Sequence, residues 1–162
     1  MFICSVRASS IKLFAVIALS LIILFSLVAF GNEESVYASI EGKEINYGGI
    51  KTKEDRITFI EGFGLEVDKD SEKEESFVMP ESFDRVILGY NELQKEQGLD
   101  LSKYTKKKVT RYTYTVTNYN HEGEVAVNLL VYRNKIIACD IASIEGKSFV
   151  LPLTAIKSES IK

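Results

Sequence analysis

The sequence predicts an α+β domain behind a lipid-soluble N-terminal helix. Three features carry that expectation: an uncharged apolar run at residues 13–30, two helix-length segments with start and stop signals, and four closing runs rich in Thr, Tyr, Val and Ile. Together they predict a transmembrane helix, then two helices packed on a mainly antiparallel sheet that ends in a four-stranded meander.

The first run reads LFAVIALSLIILFSLVAF and contains no charge, Pro or Gly. At 1.5 Å per residue it makes a helix of about 27 Å, near the ~30 Å hydrocarbon thickness of a bilayer. Ser20 and Ser26 are its only polar residues, and a hydroxyl can bond back to a carbonyl one turn earlier, so no wet face remains. Arg7 and Lys12 precede the run while Asn32, Glu33 and Glu34 follow it, which orients the N-terminus to the cytoplasm. The expected organisation is a cytoplasmic segment (1–12), a single-pass anchor in the lipid bilayer (13–30), a linker (31–50), an extracytoplasmic domain (51–155) and a tail (156–162). Cleavage after Val36-Tyr37-Ala38 is the alternative and would release a secreted domain. The run exceeds the roughly 7 to 15 residues of a signal-peptide core, which favours the anchor.

Beyond residue 30 the chain carries 18 Lys and Arg against 23 Asp and Glu, a net charge of −5. Nucleic acid and anionic membrane surfaces both select for basic patches, so neither is an expected partner. Cys4 and Cys139 fall on opposite sides of the bilayer in this arrangement, which precludes a disulfide. Cys139, between apolar neighbours, reads as a small buried hydrophobe.

Residues 31–50 are polar and mixed, with Gly42, Gly48 and Gly49, and read as a tether carrying a short strand near 45–47. The first helix starts after Thr52, a capping residue followed by Glu54 and Asp55 at the positive end. Ile57, Phe59 and Ile60 supply its apolar face, and Gly62 and Gly64 end it. Residues 65–67 read as a short strand, 68–76 as a solvated loop and 77–79 as a second short strand. Asp68, Asp70 and Glu72 alternate like the start of a calcium loop, but its turn glycine and distal Glu are missing, so no metal is expected. Pro80 suits the first turn of the second helix, which runs to about Gln97 with Phe83, Val86, Ile87, Tyr90, Leu93 and Gln94 as a core-facing stripe. Gly98 stops it.

The strands are expected at 107–119, 124–133, 136–143 and 147–153, with turns at 118–123, Asn134-Lys135 and Glu145-Gly146. Tight closure pairs Tyr112 with Val131, Tyr114 with Leu129, Val116 with Val127, Leu129 with Asp140, Val131 with Ala138, and Asp140 with Leu151. The core face then runs through Tyr112, Tyr114, Val116, Val127, Leu129, Val131, Ile136, Ala138, Ala142, Phe149, Leu151 and Leu153. The opposite face begins with Arg111, Thr113, Thr115 and Thr117 and continues with Leu130, Ile137, Cys139, Ile141 and Val150. It is only half polar, so a helix covers it or part of it stays open as a binding surface.

Asp140 is the exception in that core row. A buried carboxylate needs a partner or a proton. The hydroxyl of Tyr112 or Tyr114, or the first amides of an overlying helix, can supply one. His121, the only histidine, sits in a turn with neither metal-ligand spacing nor a nucleophile motif around it. Lys106-Lys107-Lys108 with Arg111 forms the only basic cluster, which reads as a strand end kept soluble. The candidate contacts to a ligand or partner are Asp140, Tyr112, Tyr114 and Arg111. No catalytic residue, metal ligand or cofactor is expected.

The segment Tyr90-Asn91-Glu92-Leu93-Gln94, then Gly98-Leu99-Asp100-Leu101, Tyr104 and Arg111-Tyr112-Thr113-Tyr114, resembles the family named domain of unknown function 4830. The resemblance extends back to Arg56, Phe59 and Gly62-Phe63-Gly64 and forward to Leu129-Leu130-Val131-Tyr132 and Asp140-Ile141, covering about residues 52–155. It implies a small bacterial domain behind one lipid segment, with no assigned activity or cofactor. Thr105 and Ala138-Cys139 stand where that pattern leads one to expect glycine. The expected role is a membrane-anchored, non-catalytic module binding a protein, peptide or other envelope component outside the cell. The alternatives are a small enzyme or ligand-binding domain using Asp140 with a nearby Tyr, and a structural spacer in a membrane complex.

Overall fold

The computed structural model describes residues 37–40 and 43–162, with side chains from residue 44 onward, and the expected lipid segment at 13–30 lies outside the described residues. Among the described residues no helix is long and apolar enough to cross a membrane. The first element is an antiparallel hairpin of β1 (Tyr37–Ile40) and β2 (Lys43–Asn46). Helix α1 (Lys53–Glu61) follows, then β3 (Lys73–Val78), α2 (Arg85–Lys95), β4 (Lys108–Val116), β5 (Val125–Tyr132), β6 (Lys135–Ser143) and β7 (Val150–Pro152). The last five strands form one antiparallel sheet in chain order, giving the expected α+β class with one strand more than the four-stranded meander.

α1 begins as its sequence dictates. Thr52 Oγ1 accepts the Asp55 amide at 3.2 Å, and Asp55 Oδ2 accepts the Thr52 amide at 2.8 Å, a reciprocal cap that satisfies two otherwise orphaned donors. Its Ile57 and Ile60 join Tyr114, Val127, Leu129 and Ile136 in the larger core, on the first face of the sheet. Ile45, Tyr47 and Ile50 are buried in the same core, so the segment expected to be linker enters the domain before residue 50. The tail is also engaged: Ile156 packs on this core and Ile161 bridges to Tyr119.

The second helix does not start at Pro80. Asp84 caps it, its Oδ1 accepting the Val86 and Ile87 amides at 2.9 and 2.8 Å, a stronger start signal than proline's missing donor. Gly98, at φ +78°, ends it, with the Gly98 amide on Lys95 and the Leu99 amide on Gln94. Residues 68–76, expected as a solvated loop, hold a 3-10 turn at Lys69–Ser71 and most of β3.

The register departs from the expected one at two levels. Between β4 and β5 it slides by two residues, pairing Tyr112 with Leu129, Tyr114 with Val127 and Val116 with Val125, so every side chain keeps its face. Between β5 and β6 the turn falls at Arg133-Asn134, both with positive φ, and a bulge between Leu130 and Val131 leaves Ile137 unpaired. Beyond that bulge Leu129 pairs with Cys139 and Asn128 with Asp140, and β7 pairs Pro152 with Asp140. Cys139 and Ile141 therefore replace Ala138 and Ala142 in the first core, and Asp140 turns to the second face.

That second face carries its own smaller core of Met79, Leu101, Val109, Leu130, Ile137 and Ala138, with Phe83 and Tyr90 packed against it. Each face of the sheet is thus covered by one helix.

Candidate functional site

Two glutamines set the position of α2. Gln94 and Gln97 are fully buried and lie where β6 runs past the end of β7, leaving the Cys139 backbone, paired with Leu129 on β5, without a strand partner on its other side. Gln94 Oε1 accepts the Cys139 amide at 2.9 Å, Gln97 Nε2 donates to the Cys139 carbonyl at 2.5 Å, and Gln97 Nε2 also donates to Gln94 Oε1 at 2.7 Å. The pair acts as a surrogate strand, which answers the rule that buried backbone groups be satisfied.

With α2 held there, Tyr90 stands over Asp140. The Asp140 carboxylate, 4% exposed, accepts the Tyr90 hydroxyl at 2.5 Å on Oδ1 and the Asn128 amide at 2.9 Å on Oδ2. Thr113 Oγ1 donates to Asn128 Oδ1 at 2.8 Å, which turns the Asn128 amide donor toward Asp140. Burial pushes the Asp140 carboxyl above the usual aspartate range, against the opposing pull of these hydrogen bonds and of the Arg111 charge. Tyr90 is likewise raised, by burial and by the Asp140 charge. Arg111 bonds to Glu75 on β3 and lies over the Phe77 ring at 6.0 Å.

This polar group forms the floor of a cavity of about 390 Å³ between α2 and the second face. Phe77, Met79 and Pro80 wall one side, Val86 and Ile87 the helix side, and Leu130, Ala142 and Val150 the sheet side. At the mouth Val86 is 78% and Val150 47% exposed. Small-molecule sites typically combine hydrocarbon walls in this size range with a few convergent polar groups.

Of the four contacts expected from the sequence, Asp140 and Arg111 line this cavity. Tyr112 and Tyr114 lie on the other face, a correction that follows directly from the bulge at Ile137. There Arg56 donates through Nε to the Tyr114 hydroxyl at 2.9 Å and through Nη2 to Glu72 at 3.0 Å, and its guanidinium stacks 3.7 Å from the Tyr112 ring centre. Tyr114 also donates to Glu72. Burial pushes Glu72 up, but the Tyr114 and Arg56 hydrogen bonds outweigh it and hold the carboxyl below its ordinary value. These side chains close on one another and join α1 and β4 to the turn that precedes β3 as a structural network. Tyr90 and Asn128 were missed as Asp140 partners, although Tyr90 sits in the amphipathic stripe. The signal that could have found it was a helix laid over the face that carries Asp140.

Among the described residues no group of three or more His, Cys, Asp or Glu is placed to hold a metal ion. Asp68 accepts the Asp70 amide at 2.9 Å as a turn cap, and Glu72 belongs to Arg56. Burial pushes the Cys139 thiol up, as its apolar setting requires. His121, expected in a turn, packs edge-on against Phe149 with ring centres 5.0 Å apart.

No curated protein and no solved structure matches the chain. A family model matches residues 59–141, from within α1 to β6, and so includes Tyr90, Arg111, Asn128 and Asp140. That match spans half of the chain, which belongs to the family described as Domain of unknown function (DUF4830).

Proposed function

We propose that the protein is a membrane-tethered, extracytoplasmic binding module, non-catalytic, whose ligand site is the cavity between α2 and the second sheet face. The observation that carries this reading is the cavity itself: hydrocarbon walls of about 390 Å³ converging on one buried, hydrogen-bonded carboxylate. The tether rests on the uncharged run at 13–30 and its flanking charges. Native mass spectrometry of the full chain extracted from its own membranes tests the site. A bound component on the unsubstituted chain that is lost from Ala142→Trp, which fills the cavity, supports the reading; identical spectra for the two oppose it. Protease digestion of intact cells tests the tether, since an external domain is cleaved without lysis.

A second reading, an enzyme using Asp140 as an acid with Tyr90 beside it, is favoured by the 2.5 Å contact and the raised carboxyl. Turnover of a bound component that Asp140→Asn abolishes while retaining its binding would select that reading over the first.

A further inference from the structure

Two charged side chains line the cavity, Asp140 and Arg111. Glu75 already pairs with Arg111, so the site as a whole carries one uncompensated negative charge, and it sits buried at the floor rather than at the solvent. Both hydrogen bonds to Asp140 come from neutral groups, Tyr90 on α2 and Asn128 on β5. A carboxylate has about four acceptor directions, so each oxygen retains one. A buried carboxylate without a cation in contact is costly, and a cation delivered by a ligand removes that cost while gaining a charge-assisted hydrogen bond. An anionic ligand would instead have to displace Glu75 from Arg111 and approach Asp140 against its charge.

We infer that the cavity takes a small organic monocation, an apolar body ending in a primary ammonium, with the ammonium on the Asp140 carboxylate and the body against Val86, Ile87, Leu130 and Val150. The assignment rests on the reading of this cavity as a ligand site, and it adds the sign of charge and the head group.

The test uses the full chain in nanodiscs with labelled Ile, Leu and Val methyl groups, titrated with phenethylammonium, phenethyl alcohol and 3-phenylpropionate. Methyl signals of the four wall residues report the cavity, and those of Ile57 and Ile60 in the other core serve as controls. The ammonium should shift the wall methyls saturably and bind at least about tenfold more tightly than the alcohol or the carboxylate. Asp140→Asn should abolish that preference. Should this variant fail to fold, lowering the pH on the unsubstituted chain until Asp140 takes up a proton should abolish it equally. Equal binding of ammonium and alcohol at the wall methyls, or tighter binding of the carboxylate, overturns the inference and leaves the cavity as a ligand site. No saturable shift of those methyls with any of the three overturns both.

Discussion

Replacing Gln97 by Leu keeps most of its volume and removes the two hydrogen bonds its amide donates, to Cys139 at 2.5 Å and to Gln94 at 2.7 Å. Gln94 Oε1 keeps the Cys139 amide, but the Cys139 carbonyl is left buried and unpaired. One ordinary hydrogen bond at about 1 kcal/mol plus one stranded carbonyl at about 1–3 kcal/mol gives a loss of about 2–4 kcal/mol. With a urea slope of about 2 kcal/mol per molar, the unfolding midpoint should fall by about 1–2 M. All eight tyrosines lie beyond residue 36, so tyrosine near-ultraviolet circular dichroism of the full chain follows the domain alone. Lys95→Ala, which breaks an exposed pair with Glu92, is the control and should cost about 0.5 kcal/mol or less. A Gln97→Leu midpoint indistinguishable from that control would refute the surrogate-strand account, and with it the reason Tyr90 stands over Asp140.

Tyr90→Phe removes a hydrogen bond that stabilises the charged form of Asp140, so the carboxyl-carbon NMR titration of Asp140 should move to higher pH; an unchanged or lower midpoint contradicts the assignment. Because the folded value is already raised, the Asp140 contribution to stability should be greatest below the ordinary aspartate value near ~3.9 and be lost as pH rises through the folded value. Asp140→Asn should flatten that part of the stability profile. Arg56→Ala leaves Glu72 and Tyr114 without their cation and should cost at least about 2 kcal/mol by urea unfolding, where a loss under about 0.5 would show the network to be dispensable. Gly146→Ala places a methyl 2.1 Å from the Glu122 carbonyl oxygen at φ +84°, and should lower stability by at least about 2 kcal/mol in the same assay.

Much of this fold is legible in the sequence because its signals are local. Thr52 with Asp55 and Gly98 mark helix ends through chemistry confined to a few residues, and the β4–β5 faces survive a register error because it is an even one. The bulge at Ile137 is different: both neighbours are apolar, so inserting it changes no composition signal, yet it reverses the face of the β6 residues that follow it, while Phe149, Leu151 and Leu153 keep theirs. Asp140 could be recognised as a buried acid needing partners, but with the face reversed those partners become Tyr90 and Asn128 rather than Tyr112 or Tyr114. Gln94 falls in the core-facing stripe and is buried as that stripe predicts, but Gln97 hides for a related reason: a polar side chain outside the stripe reads as solvent-facing, and only the β6 backbone left open beside β7 explains why it is buried.

The site depends on which face Asp140 occupies, and a nuclear Overhauser measurement on the full chain addresses that most directly. Cross-peaks from the Asp140 β-protons to the Tyr90 ring, with none to the Tyr114 ring, are the predicted result. Cross-peaks to Tyr114 and silence at Tyr90 would return the carboxylate to the first core and remove the floor from the cavity.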